Sequence, residues 1–277
     1  MSARAKPINL IAIVIIFDII DVLYQIDGGS EYMKKLKCVC GSVLITLSFV
    51  FFVGIISSIA MMTISNALSY VSLISGIAQI LYLLVVVVVL KLRKIDFKSR
   101  CGITTVSYKE YIVPAVAAIC FSLFSNIMQT VIPIPKAFVG GMSDDMGNSM
   151  LAFVLEIFII APIVEEMTFR GLIMTKLRKE FSVPISILIS ALLFGIIHFM
   201  AGGLVAVIHA FLGGLIFALS YEKTKSILPT IVAHFFANVG GVLMSVIDDW
   251  SVTVQCVLAV IFLIVTILSC VSLIRKK

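Results

Sequence analysis

Long apolar stretches, separated by short polar segments, follow one another along almost the whole chain. A helix of about 20 apolar residues crosses the ~30 Å hydrocarbon core of a bilayer. The pattern therefore predicts an all-α fold, a polytopic transmembrane helix bundle with eight spans. The predicted spans are residues 38–64, 68–90, 110–132, 150–174, 184–201, 204–221, 227–246 and 252–273.

The first apolar stretch, INLIAIVIIFDIIDVLYQI at residues 8–26, differs from the others. A ninth span would place Arg4 and Lys6 outside the membrane, and Asp18 and Asp21 add charge to one helix face. We favour an interfacial or partly inserted helix over a ninth span. Because the stretch lacks a small-residue cleavage site, we expect it to be retained.

Composition agrees with a membrane protein. Hydrophobic residues make up 61% of the 277 residues and charged residues 13%, against roughly 45–50% and 25% in soluble domains. The net charge of +6 does not indicate nucleic acid, because the lysines and arginines stand in short clusters between apolar stretches. The six cysteines form no CxxC pair, and we interpret them as packing residues.

The basic clusters also predict orientation, because positively charged loops stay in the cytoplasm. With every basic cluster placed there, the eight predicted spans alternate without exception. The clusters are KKLK at 34–37, KLRKIDFKSR at 91–100, KLRK at 176–179, EKTK at 222–225 and the final RKK. The absence of targeting signals and the Ile- and Lys-rich composition favour a bacterial plasma membrane, with the protein crossing it several times.

Several ionisable residues nevertheless fall inside the predicted spans, where a central charge costs about 2.5–3.5 kcal/mol and marks a candidate site. Glu166 and Arg170 are four residues apart and share a helix face, so they are expected to pair. Glu165 is rotated by about 100° and is left free for chemistry. The other candidates are His198, His209 and His234.

Helix depth brings these residues together. Counted at 1.5 Å per residue from the basic ends, Glu165 lies roughly 16 Å deep, His198 about 21 Å, His234 about 12 Å and Asn238 about 18 Å. Pro162 removes a backbone hydrogen bond near Glu165 and exposes carbonyls that a neighbour or a wet cavity must satisfy. A carboxylate, two imidazoles and an amide supply a base for water and donors for an oxyanion.

Other polar and small residues are given structural roles. His209 lies at a similar depth, but we expect it to pack or to support the site. Ala210, Gly214 and Ala218 form a small-residue ridge that lets helices approach closely. For each of the buried histidines, glutamates and amides, a simple hydrogen bond between helices is the competing interpretation.

Three short motifs give these residues a recognisable order: Glu165-Glu166-xxx-Arg170, Phe194-xxx-His198 and His234-xxx-Asn238. Together they resemble the CAAX protease and bacteriocin-processing family, also called CPBP or Abi. The resemblance covers residues 110–246, interpreted as the catalytic core. Residues 1–109 hold the N-terminal helix and two spans without a motif, and residues 247–277 hold the last span and a basic cytoplasmic tail.

The resemblance implies an intramembrane endopeptidase. Glu165 and His198 match the residues held to activate water, and His234 and Asn238 match those held to stabilise the oxyanion. Glu166, Arg170 and Phe194 would support them. The family suggests both metal-free and metal-dependent mechanisms; Glu165, His198 and His234 could ligate a divalent metal such as zinc, although no HExxH motif occurs.

Three functions are compatible with these features. The leading interpretation is hydrolysis of a membrane-associated peptide or protein, such as a CAAX-like tail, a leader peptide or a bacteriocin-related substrate. A non-catalytic bacteriocin-immunity or scaffolding protein of the same fold is the alternative. A proton-relaying transporter is disfavoured, because matching halves with interrupted helices are not evident.

Overall fold

A computed structural model describes residues 30–135, 150–247 and 249–275, and these residues contain helices but no strand. The stretch at 8–26 and residues 136–149, which the alternation of the predicted spans makes an external loop, lie outside the described residues. The all-α prediction is therefore confirmed for the described part of the chain. The predictions of an interfacial N-terminal helix and of an external loop stay predictions.

The helices follow one another with short connections. Before the gap they are α1 (Glu31–Thr63), a 3₁₀ turn (Ala67–Tyr70), α2 (Val71–Leu92), α3 (Phe97–Cys101) and α4 (Lys109–Val131). A segment at residues 150–177 joins α5 (Met150–Leu155), π1 (Glu156–Ile160), α6 (Ala161–Glu166), π2 (Met167–Met174) and α7 (Thr175–Leu177). The remaining helices are α8 (Val183–Ile197), α9 (Phe199–Thr224), α10 (Leu228–Ile247) and α11 (Val252–Ile274).

Five helical stretches in the described residues are long and apolar enough to cross a membrane. They are Glu31–Thr63, Ala67–Leu92, Lys109–Val131, Phe199–Thr224 and Val252–Ile274, and two shorter apolar helices are Val183–Ile197 and Leu228–Met244. The multi-pass membrane character is thus supported, whereas the count of eight spans is not confirmed. The predicted span at 150–174 coincides with the segment that changes helical register.

The basic segments meet at one end of the bundle. Nε of Arg178 lies 3.4 Å from a carboxylate oxygen of Glu222, so the 176–179 and 222–225 clusters are in contact. Lys223 donates a hydrogen bond to the carbonyl of Arg275, which brings the chain's C-terminal region to the same end. This end, called the basic end below, is the one that the charge pattern assigns to the cytoplasm.

The 150–177 segment owes its irregular register in part to a proline. In π1 the N–H of Ala161 donates to the carbonyl of Glu156, five residues earlier. The next residue, Pro162, has no N–H, so it cannot continue this ladder by donating to Ile157. The carbonyl of Ile157 therefore requires a partner from outside its own helix. Such π-helical turns often occur at functional sites.

The junction between α8 and α9 is tight. A Cβ on Gly195 would lie 2.8 Å from the carbonyl oxygen of Val207 and 2.9 Å from Cβ of Phe211, so only glycine allows this approach of the two helices. Gly203 has a positive φ of 64° near the start of α9. This turn places His198 directly between the two helices.

The first two long helices pack against the segment that carries the glutamates. The ring of Phe49 in α1 makes edge contacts with Tyr82 of α2 at 5.1 Å and with Phe169 of π2 at 6.3 Å, measured between centroids. All three side chains are buried. Residues before the motifs therefore contribute to the core that surrounds the candidate site.

Candidate active site

Glu166 and Arg170 form the ion pair predicted from their spacing. Nη1 of Arg170 donates to Oε1 of Glu166 at 2.9 Å, and neither side chain is exposed. The second terminal nitrogen of Arg170 donates to the carbonyl of Gly214 in α9 at 2.7 Å. A buried pair offsets its desolvation only when further hydrogen bonds satisfy it, and the Gly214 carbonyl supplies one.

Two aromatic rings enclose the guanidinium. It lies 4.7 Å from the ring centroid of Phe194 and 5.3 Å from that of Phe217. A Cβ on Gly214 would stand 3.1 Å from both Nη2 of Arg170 and Cδ1 of Phe194, closer than most Cβ contacts. The small-residue ridge of α9 thus has a local purpose, since it lets Arg170 reach the helix backbone.

His234 joins the two glutamates. Its Nδ1 lies 3.0 Å from Oε1 of Glu166, and its Nε2 lies 3.9 Å from Oε2 of Glu165. The imidazole stacks on Phe217 at 4.7 Å and meets the edge of Phe194 at 5.7 Å. Because an ionised carboxylate only accepts hydrogen bonds, contact with Glu166 places a proton on Nδ1 and directs Nε2 towards Glu165.

The two glutamates therefore differ in their surroundings, as their angular separation predicts. Glu166 is held by both Arg170 and His234. The carboxylate of Glu165 forms no hydrogen bond with the described residues, and Nε2 of His234 at 3.9 Å is beyond hydrogen-bond distance. Only 13% of the Glu165 side chain is exposed. Oε2 of Glu166 also has no partner among the described residues, but it is fully buried, so the partly exposed Glu165 is the glutamate accessible to a reacting group.

His198 is oriented by the end of its own helix. Its backbone N–H donates to Gly195 at 3.0 Å, which leaves the carbonyl of Phe194 without that donor. The ring Nδ1 of His198 lies 2.9 Å from this carbonyl and takes the position of the missing backbone donor. A carbonyl only accepts, so Nδ1 carries the proton and Nε2 is the acceptor of the neutral ring.

Asn238 supplies the partner that the carbonyl of Ile157 requires. Its side-chain amide donates to the carbonyl of Ile157 at 2.7 Å, the carbonyl left over by Pro162. The neighbour that the proline requires is therefore a residue of the third motif. One of the two amide protons of Asn238 is used in this contact, and the other remains for a ligand.

A cavity of about 440 Å³ lies beside these residues. Its walls include Phe194 and His198 from the end of α8 and His234 and Asn238 from α10, so two separate helices bring motif residues to one space. Glu165 is not among the lining residues and approaches the cavity through its contact with His234. The geometry thus places a free carboxylate behind an imidazole at the cavity wall.

The residues considered for zinc do not form a ligand set. Among residues 30–135, 150–247 and 249–275, no three His, Cys, Asp or Glu side chains are grouped closely enough to hold a metal ion. A tetrahedral zinc site would need its ligands at about 2.0–2.3 Å from one centre. Glu165, His198 and His234 therefore do not fit that role as they are placed.

The cavity also contains polar residues outside the three motifs. Asn126 and Gln129 of α4 and His209 of α9 line it. The residues Ser122, Ser125, Asn126 and Gln129 follow the spacing i, i+3, i+4, i+7. That spacing marks one face of a helix and could have indicated the row from the sequence. The row does not stand out by charge, because all four side chains are neutral.

The observed fold is a multi-pass helical membrane protein with a carboxylate and imidazole cluster buried among its helices. Residues 147–240 match the family model described as "Type II CAAX prenyl endopeptidase Rce1-like". The resemblance inferred from the three motifs is confirmed over that segment, which contains all of them. The match of this segment to an endopeptidase family supports a protease in general terms.

A similar curated protein adds no activity. A protein of Escherichia coli described as "Uncharacterized 24.3 kDa protein" is 26% identical over 135 residues, which are 48% of this chain and 62% of that protein. The chain thus matches less than two thirds of this relative's length. Comparison with solved structures gives no match.

Proposed function

We propose that this protein is an intramembrane endopeptidase that hydrolyses a membrane-associated peptide or protein. The observation that carries the proposal is the contact of His234 with both glutamates at the wall of a cavity that His198 and Asn238 also line. The match of residues 147–240 to a family of endopeptidases agrees with it.

The cluster has a charge state suited to hydrolysis. With both carboxylates ionised and His234 protonated on both nitrogens, Glu165, Glu166, Arg170 and His234 sum to zero charge. Ion pairs at low dielectric are tolerated when opposite charges balance and hydrogen bonds satisfy them. The proposed mechanism requires this state, in which Glu165 is a base and Nε2 of His234 is a donor.

Water activation falls to Glu165 and His198. Oε2 of Glu165 and Nε2 of His234 are 3.9 Å apart. A water oxygen fits between these two atoms at about 2.8 Å from each. Glu165 takes one proton from this water while its oxygen bonds to the scissile carbonyl carbon. Nε2 of His198, the acceptor of that ring, holds the second water proton in a hydrogen bond.

The developing oxyanion needs donors, and the amine needs a proton. Nε2–H of His234 and the second N–H of Asn238 are the donors that the motifs provide. When the C–N bond breaks, Glu165 returns its proton to the leaving amine, so the carboxylate is regenerated. Glu166 and Arg170 act by fixing the tautomer and position of His234.

The test is peptide cleavage by purified full-length protein in detergent or vesicles. A library of fluorogenic apolar peptides, with and without a C-terminal CAAX-like end, reports cleavage. We expect Glu165→Gln and His198→Ala to lower kcat by about 10²–10⁴-fold. The matched control is Glu156→Gln, the same substitution at a glutamate that pairs with Gln79 and does not line the cavity.

Cleavage that is undiminished in both Glu165→Gln and His198→Ala would overturn the proposal. A peptide-binding protein that lacks activity in every variant would instead favour the non-catalytic alternative. Equal losses in Glu156→Gln and Glu165→Gln would point to a general effect of removing intramembrane carboxylates rather than to a base.

A further inference from the structure

A row of neutral polar side chains follows one face of α4. Ser122, Ser125, Asn126 and Gln129 occupy one helix face in a helix apolar enough to cross a membrane. Polar side chains in the membrane turn towards protein or a wet cavity, because hydrocarbon does not satisfy them. Ser122 is buried and Ser125 and Asn126 are half-buried, so this part of the row faces into the bundle, whereas Gln129 is exposed near the end of α4. The three motifs do not explain this row.

Two residues of this row line the cavity described above. Asn126 and Gln129 line it from α4, and His209 lines it from α9. Nδ1 of His209 lies 2.8 Å from Oγ of Ser125, and the imidazole packs against Phe121 at a centroid distance of 5.2 Å. Ser125 and Phe121 thus fix the ring of His209 at the cavity wall.

Asn126 and Gln129 line the cavity on the side away from the basic end, whereas His209 lies at about the depth of His198. Gln129 is two residues from the end of α4 at Val131, about 3 Å from the end opposite the basic segments. His234 is six residues into α10, about 9 Å from the basic end. The cavity therefore runs from the catalytic cluster towards the opposite end of the bundle.

A membrane-associated peptide has a specific need in such a cavity. Its scissile carbonyl becomes accessible only when the peptide is unwound, which frees main-chain N–H and C=O groups that hydrocarbon cannot satisfy. Amide side chains offer a donor and an acceptor each, and an imidazole offers one of each in its neutral form. The amide nitrogens of Asn126 and Gln129 already donate to Ser122 and Ser125. The groups left for a peptide are both side-chain oxygens, one N–H of Gln129 and Nε2 of His209, which still include donors and acceptors.

We propose that Asn126, Gln129 and His209 form a subsite that binds the unwound main chain of the substrate peptide. Ser125 is a positioning residue that holds His209 in this subsite. The bound segment lies on the side of the scissile bond that faces the end opposite the basic segments. This inference rests on the proposed function, because it assigns a peptide as the ligand of the same cavity.

Kinetics of near-isosteric apolar variants test the subsite. Asn126→Leu, Gln129→Met and His209→Phe are compared with wild type on the fluorogenic apolar peptides. Each lost hydrogen bond to bound peptide should raise KM about three- to tenfold. Contacts made equally with the substrate and the transition state leave kcat within about twofold. The matched control is Thr266→Val, a polar-to-apolar change in α11 whose hydroxyl contacts only the Phe262 carbonyl among described residues.

The role of Ser125 has its own readout. Ser125→Ala should raise KM in the wild-type background and have little further effect in His209→Phe, because Ser125 acts through that ring. Ser125→Thr, which keeps the hydroxyl, should restore KM towards the wild-type value. Additive effects of Ser125→Ala and His209→Phe would overturn the positioning role.

A binding measurement separates this proposal from the proposed function. Fluorescence anisotropy of the same peptides with Glu165→Gln protein needs no turnover, and the three subsite substitutions in that background should weaken binding by the same factors. Retained binding would overturn the subsite even if wild type cleaves the peptides. Weakened binding without wild-type cleavage would support the subsite and refute the protease. Absence of both binding and cleavage would refute both.

Discussion

Asn238 donates its side-chain amide to the carbonyl of Ile157 across 81 residues of sequence, at a distance of 2.7 Å. The carbonyl is free because Pro162, five residues later, has no N–H. A proline before the glutamate pair and an asparagine on another helix are thus parts of one arrangement. The contact fixes the position of α10, which carries His234, relative to the segment that carries Glu165.

We predict that the stability cost of losing Asn238 depends on Pro162. Asn238→Ala leaves the Ile157 carbonyl without its donor and should lower the free energy of unfolding by about 1–2 kcal/mol. In a Pro162→Ala background, the new N–H can serve a carbonyl of its own helix, so the same substitution should cost less. Thermal unfolding in detergent of the four proteins of this cycle measures the coupling.

Pro229→Ala is the control for this cycle. Pro229 stands at the second position of α10, where a missing N–H is tolerated. The Pro229→Ala substitution should not reduce the loss of stability that Asn238→Ala causes. If the Pro162 and Pro229 backgrounds behave alike, the link between the proline and the asparagine is wrong.

The buried ion pair leads to a second prediction. Glu166→Leu leaves the guanidinium of Arg170 without its carboxylate in a site with no exposure, and we expect a loss of about 3–5 kcal/mol in stability. The double variant Glu166→Leu with Arg170→Met removes both charges and should recover most of that loss. Midpoints of thermal unfolding of the purified proteins report the effect.

Glu165→Gln provides the comparison for the ion pair. Because the Glu165 carboxylate forms no hydrogen bond with the described residues, this variant should keep nearly the wild-type midpoint while losing activity. A large loss of stability in Glu165→Gln, or a small one in Glu166→Leu, would reverse the roles assigned to the two glutamates.

Spacing along single helices predicted some of this site. The four-residue interval from Glu166 to Arg170 is a local property of a helix, and the pair forms. Similar helix depth predicted that Glu165, His198, His234 and Asn238 would border one space; the last three line the same cavity, and Glu165 does not. Both inferences needed only the rise and turn of a helix.

Contacts between distant helices could not be predicted in this way. The hydrogen bond of Asn238 to Ile157 depends on a π-helical register that apolar patterning does not reveal. The sharing of Glu166 between Arg170 and His234 depends on how α10 is rotated against π2. The count of spans also depends on such irregular segments, because length and apolarity alone do not classify residues 150–177.

A third prediction concerns metal chelation. The described residues offer no group of three ligating side chains, so the cluster is expected to act without a bound metal ion. Incubation with EDTA or 1,10-phenanthroline should leave cleavage within about twofold of the untreated rate. Added zinc should not restore Glu165→Gln. Loss of activity on chelation, reversed by one divalent metal, would contradict the prediction.

A fourth prediction follows from the close approach of α8 and α9 at Gly195. Alanine there would place its Cβ 2.8 Å from the carbonyl oxygen of Val207, and backbone cannot move aside without separating the helices. Overpacking of this kind costs about 1–3 kcal/mol. Gly195→Ala should therefore lower the thermal unfolding midpoint and also slow cleavage, because His198 stands at the junction that must open.

Gly54→Ala separates this effect from the intrinsic preference of alanine for helices. Among the described residues, no atom outside its own stretch of helix lies within 4 Å of a Cβ at Gly54, so alanine there should be neutral or slightly stabilising. If Gly195→Ala behaves like Gly54→Ala in both midpoint and cleavage rate, α8 and α9 do not pack as closely as described. A lowered midpoint with an unchanged cleavage rate would show instead that separating α8 and α9 does not affect His198. That result would argue against a role for His198 in activating water.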